Sequence, residues 1–226
     1  MSSLAGLQAV VFDMDGVIID SEPNHYRAIC KAIGSEMTLS YDDFLSRFAG
    51  RDERFAMGEM AKELGIEYDE DLFQEWSRRK AEAYAQFVSE HAEPMPGAVD
   101  FVSTVARVMP VGLATGSRRS DVNAALRVLA GGRLEGVFQT IVTSEDVPNP
   151  KPHPATYLKA VENLGFQPSE CVAFEDSPNG IKSAKQAGLR VVGVTAIHGA
   201  EKLPGTNYLI PDFRGLSLEV LESVLA

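Results

Sequence analysis

Basic residues are scarce in this sequence. The 21 lysines and arginines stand against 32 aspartates and glutamates, a net charge of −11. That balance argues against nucleic acid as a partner, because a phosphate backbone calls for clustered cations. A small phosphorylated molecule senses only local charge and is not excluded. Cysteine is nearly missing: Cys30 and Cys171 lie far apart, which speaks against a disulfide framework and fits reduced thiols in a cytoplasmic protein. No apolar run approaches the length of a membrane span, so no membrane partner is expected. The N-terminus shows neither the basic segment nor the long apolar stretch of a secretory leader. Internal repeats and low-complexity segments are also missing. What is there is an ordinary globular composition, 45% hydrophobic and 23% charged over 226 residues, enough for one good core and a small second domain.

Residues 7–12 form an apolar run that reads as a buried strand. It is followed by Asp20-Ser21-Glu22-Pro23, a helix-start signal. From there to about residue 92 helical periodicity dominates, over residues 25–33, 41–48, 54–64 and 69–87, with Gly34, Gly50 and Gly65 between the segments. Loops at 22–23 and 93–97 bracket this block and read as hinges. Beyond Gly97 short apolar strands alternate with helices. Strands are expected over 111–114, 138–143, 171–174 and 190–194, and helices over 98–108, 121–129, 154–164 and 180–187. Such alternation implies an α/β fold, a Rossmann-like parallel sheet flanked by helices. The helical block becomes a small α-helical cap inserted after the first strand. The expected division is residues 1–22 and 95–226 for the core and 23–94 for the cap.

The first strand ends in Asp13-Met14-Asp15-Gly16. Two carboxylates two residues apart project to the same side of a strand exit, and Gly16 lets the backbone turn. Carboxyl ends of parallel strands are where ligands bind. Two acids together there are costly unless a cation neutralises them or one holds a proton. Three further segments fall at the ends of later strands: Leu113-Ala114-Thr115-Gly116-Ser117, Lys151-Pro152-His153-Pro154, and Phe174-Glu175-Asp176-Ser177-Pro178-Asn179-Gly180. In this order and spacing, the four segments resemble the signature of the haloacid dehalogenase superfamily, in its phosphatase and phosphomutase branch.

The resemblance implies a Mg²⁺-dependent enzyme that hydrolyses a small phosphorylated metabolite, a sugar phosphate or similar, through an aspartyl-phosphate. Asp13 would be the nucleophile. Asp15 would protonate the leaving oxygen and then take a proton from water. The dehalogenase branch lacks this second acid, which favours phosphoryl transfer over carbon–halogen cleavage. Thr115 and Gly116 would bind phosphoryl oxygens, and Lys151 would neutralise Asp13 and the transferring group. The Asp13 side chain, the Asp15 carbonyl and the Asp176 side chain would hold the metal, with Glu175 a direct ligand or an outer partner. Asp176 is also a candidate cap for the helix beginning near Pro178.

For the cap, His25, Arg51 and Lys80 are candidate readers of the substrate, and Ser117, Arg118 and Arg119 are further candidate contacts. The β-phosphoglucomutases resemble this chain at His25, at Arg79-Lys80 and at Tyr84. They depart from it after Gly50, where Glu53 stands in place of an arginine, and that departure puts a second phosphate site in doubt. No lysine follows Gly50 closely, which disfavours imine-forming phosphonate cleavage. A phosphomutase remains the main alternative, and a non-catalytic phosphometabolite-binding protein the remote one. A monomer or small homo-oligomer is expected.

Overall fold

The computed structural model describes residues 6–34, 38–48 and 51–225, so Gly50 lies outside the described residues. Strand β1 (Ala9–Phe12) is four apolar residues, all buried. Val10 and Phe12 join one apolar cluster, whereas Ala9 and Val11 join another. This is the two-residue period of a strand with both faces covered. Strands β4 (Val111–Ala114), β5 (Thr140–Val142), β6 (Cys171–Glu175), β7 (Arg190–Val194) and β8 (Tyr208–Ile210) complete a six-stranded sheet. The order is β5-β4-β1-β6-β7-β8 and all neighbours are parallel. The chain moves outward from β1 to β4 and β5, then resumes on the other side of β1 at β6. The direction of winding reverses at β1, and the crevice at its carboxyl end is the natural ligand site.

Helices α5 (Ala98–Ala106), α6 (Arg119–Val128) and α9 (Glu219–Leu225) supply the first cluster, and α7 (Ala155–Leu164) and α8 (Pro178–Ala187) the second. Phe12 and Phe174 stack at 5.0 Å between centroids. Phe101 meets both rings edge-on, and Phe213 packs on Phe101 and Phe174. Phe12 and Phe174 immediately precede Asp13 and Glu175 in sequence.

Between β1 and β4 lie α1 (Glu22–Ile33), α2 (Tyr41–Arg47), α3 (Glu53–Leu64) and α4 (Glu70–His91). Ser40, Asp52 and Asp69 cap the last three, each accepting the N–H three residues on. The helices share an apolar cluster that includes Phe44, Met57, Met60, Phe73 and Trp76. Ala28 of α1 and Ala83, Tyr84 and Val88 of α4 belong instead to the sheet's cluster, so this inner pair packs on the α/β body. Among the described residues no helix is long and apolar enough to cross a membrane.

The expected linker loops are ordered differently. Pro23 lies in the first turn of α1, where its missing N–H costs nothing. Glu93–Pro94 (β3) pairs antiparallel with Ile19–Asp20 (β2), so the two crossing segments hydrogen-bond to each other. Strand β8 was not expected either. Tyr208-Leu209-Ile210 is apolar but only three residues long, too short to show a period, and of the three only Ile210 is buried.

Phe101 links α5 to β1 and β6 through three other rings. Phe101→Ala should cost about 3–5 kcal/mol of unfolding free energy, read by chemical denaturation. A loss below about 1 kcal/mol would show that the ring cluster does not anchor the sheet.

Candidate active site

Asp13 leaves β1 into a nearly closed nest, 6% exposed. Its N–H donates to the Phe174 carbonyl at 3.0 Å. Lys151 Nζ lies 3.0 Å from Asp13 Oδ1 and 2.6 Å from Glu175 Oε1, and donates to the Ala114 carbonyl at 2.8 Å. One ammonium thus ties together the ends of β1, β4 and β6. The Lys151–Asp13 approach is an ion pair without hydrogen-bond geometry, so Asp13 Oδ1 is a buried acceptor with no hydrogen bond.

Glu175 is fully buried and its acceptors are engaged. Oε1 accepts from Lys151 and from the Tyr157 hydroxyl at 2.8 Å. Oε2 accepts the N–H groups of Asp176 and Ser177 and the Ser177 hydroxyl. A Cβ on Gly180 would occupy the Glu175 carboxylate, so the first turn of α8 closes on it only with glycine there. Ser177 caps α8 by accepting the Gly180 N–H; Asp176 is therefore not the cap, and its carboxylate is left facing Asp13. Gly16 has a φ of +73°, and a Cβ there would fall on the Asp176 carboxylate. Glycine alone lets the turn after β1 close so tightly over Asp176.

Oxygens of Asp13, Glu175 and Asp176 lie within 4.8 Å of one another. Three carboxylates against one ammonium leave two negative charges unmatched. Burial, reinforced by Glu175, pushes the Asp13 carboxyl up to about 8 despite Lys151. Burial, with the charges of Glu175 and Asp13 beside it, raises Asp176 well above the usual range. Burial would lower Lys151, but Asp13 and Glu175 outweigh it and hold the ammonium charged. Hard oxygens, a charge deficit of two and an orphaned buried acceptor fit a divalent cation such as Mg²⁺.

Asp15 sits two residues on in a different setting. Backbone hydrogen bonds from Gly16, Ile18 and Ile19 fix the turn around it. Oδ1 accepts from the Ser21 hydroxyl and faces His25 Nε2 at 3.2 Å; Oδ2 accepts from the Ser117 hydroxyl at 2.6 Å. The Thr115 hydroxyl lies at 3.4 Å. Burial would raise its pKa, but His25, Ser117 and Ser21 together hold it well below the usual carboxylate range. Ser21 precedes α1 but makes no side-chain cap; its hydroxyl goes to Asp15 instead. His25 stacks on Tyr84 at 4.4 Å, which sets its ring against Asp15.

Asp13, Asp15, His25, Arg51, Lys80, Gly116, Ser117, Arg118, Lys151 and Asp176 line one cleft. Thr115 and Glu175 are fully buried beneath it. Arg119 does not line it. Its guanidinium is drawn away to Asp146 at 2.5 Å and to the Ile141 carbonyl. Lys80, a candidate reader, is buried between Asp121 at 2.5 Å and Glu53 at 3.0 Å. Tyr157, Glu53, Asp121, Asn179 and His198 are additions of the structure. Tyr157 reaches Glu175 from the first turns of α7, which no local pattern announces, and the others meet the cleft only through tertiary packing.

A family model for haloacid dehalogenase-like hydrolases matches residues 7–188. A phosphorylated carbohydrates phosphatase of Thermotoga maritima is 33% identical over 195 residues, covering 83% of this chain and 85% of the relative. The fructose-1-phosphate phosphatase YqaB of Escherichia coli is 32% identical over 186 residues, covering 82% and 95%. CbbY from Rhodobacter sphaeroides, a crystal structure in complex with phosphate, superposes with a TM-score of 0.87 at 24% identity, covering 96% of this chain and 99% of that one. The parallel sheet, the clustered carboxylates with their lysine, and these matches together make the chain a member of the haloacid dehalogenase-like hydrolase family.

Proposed function

We propose that the protein is a Mg²⁺-dependent phosphatase acting on a small phosphorylated carbohydrate through an aspartyl-phosphate on Asp13. One observation carries the reading: a single turn presents Asp13, with an unpaired buried oxygen, to Lys151 and Asp176, and presents Asp15 to the Ser21, His25 and Ser117 side chains, so one carboxylate faces the place for a cation and a phosphoryl group and the other is held by proton donors beside it. The named phosphatases among the relatives support the same chemistry.

Asp13 is aimed by β1 and fixed by its own N–H bond to β6. With a cation bound, Asp13 loses to solvent the proton it holds without one, and its ionised carboxylate oxygen attacks phosphorus while the bond to the leaving oxygen breaks. Lys151 offsets the negative charge gathered on Asp13 and the phosphoryl oxygens. The Asp13 and Asp176 side chains and the Asp15 carbonyl would hold Mg²⁺, which when bound supplies the two missing positive charges. Glu175 is a positioning residue: with its acceptors engaged, it holds Lys151 and the start of α8 in place.

Asp15 is anionic among its donors. A phosphoryl dianion entering beside it disfavours that charge and raises its pKa, so it binds a proton. It passes this proton to the leaving alkoxide, and later takes one from the water that attacks phosphorus and frees Asp13. His25, Ser21 and Ser117 keep its two oxygens in place for both transfers. Residues 23–94 act as a cap that shields the intermediate and reads the substrate, and residues 1–22 and 95–226 form the catalytic core. A phosphomutase would use the same Asp13 and Asp15. Assaying released phosphate and isomerised product together, over a panel of sugar phosphates with Mg²⁺, separates the two outcomes, and only free phosphate should accumulate.

Asp13→Asn should abolish turnover while the fold persists, because the swap is nearly isosteric and removes a crowded charge. More than a trace of phosphate release from a contaminant-free preparation would sink the covalent route.

Turnover should stop in excess chelator. Saturating Mg²⁺, at about 100 times its Kd, should stabilise the folded protein by about 2.7 kcal/mol. Asp176→Ala should lose most of that shift in thermal unfolding. Full activity in chelator would refute the metal site.

In chelator, stability should fall as pH rises from about 4 to about 8. Folded Asp13 keeps its proton up to about 8, whereas an unfolded carboxyl releases it near 3.8. The folded form therefore binds more protons across that window. Mg²⁺ should flatten the slope, and a stability that rises with pH in chelator would contradict the raised Asp13.

A further inference from the structure

Beyond Lys151, the cleft holds three cations that could grip a distal group: Arg51, Lys80 and Arg118. Two are already matched. Lys80 of α4 lies between Asp121 of α6 and Glu53 of α3, its side chain 7% exposed. Arg118 pairs with Glu145 at 2.9 Å, hydrogen-bonds Ser77, and stands 3.7 Å from Glu53. Arg51 has no ion pair among the described residues, but the Asp52 carboxylate follows it directly and lines the same cleft. Glu22 lines it too. The Asp52 carboxylate, however, caps α3 by accepting the Phe55 N–H, and the Arg51 guanidinium lies over the Phe55 ring, so the two cations matched by acids are Lys80 and Arg118.

A second phosphate arriving at Lys80 would have to displace Asp121 or Glu53 and leave a buried carboxylate unpaired, which is costly. Left in place, Glu53 would repel it. Burial would raise Glu53, but Lys80, Ser77 and Arg118 lower it, so the charge is present. An ionised carboxylate offers about four acceptor sites. Lys80 and Ser77 take one each, which leaves capacity for hydroxyl donors.

Resting on the phosphatase reading above, we propose that the substrate carries a single phosphoryl group on an uncharged polyhydroxylated skeleton, and that Glu53 selects for it by accepting hydroxyl hydrogens and repelling a second phosphate. Glu53 is thereby a specificity-determining residue, and Lys80 holds it rather than the substrate.

The test compares kcat/KM with Mg²⁺ for matched pairs: fructose 1-phosphate with fructose 1,6-bisphosphate, and glucose 6-phosphate with glucose 1,6-bisphosphate. The unaltered protein should favour the better monophosphate over its bisphosphate by at least about tenfold. Glu53→Gln keeps the shape and loses the charge, and should narrow that gap; Glu53→Arg should narrow it further or reverse it. Thermal unfolding checks that both variants fold, and the preference of the unaltered protein stands as a readout if they do not. A bisphosphate used as well as the monophosphate would overturn the proposal, as would a gap that folded Glu53→Gln and Glu53→Arg both leave unchanged. If no ester releases phosphate, the phosphatase reading fails separately. Calorimetry of the same pairs on Asp13→Asn then decides on Glu53: tighter monophosphate binding supports its role, and equal or tighter bisphosphate binding refutes it.

Discussion

The contact on which the site depends is the buried meeting of Lys151 with Asp13 and Glu175. It joins the carboxyl ends of three adjacent strands, and it is electrically incomplete. One ammonium cannot neutralise three carboxylates withdrawn from water, and the cost appears as the raised Asp13 and Asp176. Such an arrangement is a poor way to stabilise a fold, since desolvated charge pairs at best break even. Its unmatched charge fits it to a divalent cation. The surrounding architecture answers to this need. The apolar rings of Phe12 and Phe174 hold the strand ends rigid, and Gly16 and Gly180 let backbone close over carboxylates that any side chain would displace.

Besides the apolar packing of α1 and α4 on the sheet's cluster, two physically distinct links hold the helical insert to the body. The β2–β3 ribbon is only two residues long in each strand. A short ribbon of this kind constrains position while allowing its few dihedrals to change, and hinges are built that way. The second link is the Lys80–Asp121 pair, which crosses from α4 to α6 with its partner carboxylate 1% exposed. Opening the insert would expose that pair to water. Solvation would then replace much of what the contact supplies, so the pair fixes where the insert docks more than how strongly it docks.

Much of this was legible in the sequence, for identifiable reasons. Strands β4 and β7 fall where the apolar runs end, because a strand buried on both faces is apolar throughout and punctuated at its borders. Asp13, Asp15, Lys151 and Asp176 stand together because each follows such a strand or the loop beside it. The segments missed have no such mark. Strand β8 buries one residue of three, and β2 and β3 are too short for any period. Arg119 looks like Arg118 in sequence, but only the fold shows that one lines the cleft and the other turns to Asp146. Lys80 appeared as a free cation because its two acids come from other helices. Side-chain pairing across elements is a tertiary property that no local pattern encodes.

The cleft uses one motif twice with a different pairing of charges. At one end Lys151 lies between two acids, Asp13 and Glu175, and a third acid, Asp176, has no cation of its own. At the other end Lys80 lies between Glu53 and Asp121, and Arg118 lies between Glu53 and Glu145, so every acid there has a cation beside it. The first assembly is left short of positive charge, which fits it to a cation. The second leaves neither Lys80 nor Arg118 without an acid partner, so an anionic group would gain little from them and an uncharged hydrogen-bonding one fits better. Geometry and residue types are nearly the same at the two ends. On the function proposed above, the pairing of nearby charges is what would separate a place for chemistry on phosphate from one that reads what the phosphate is attached to.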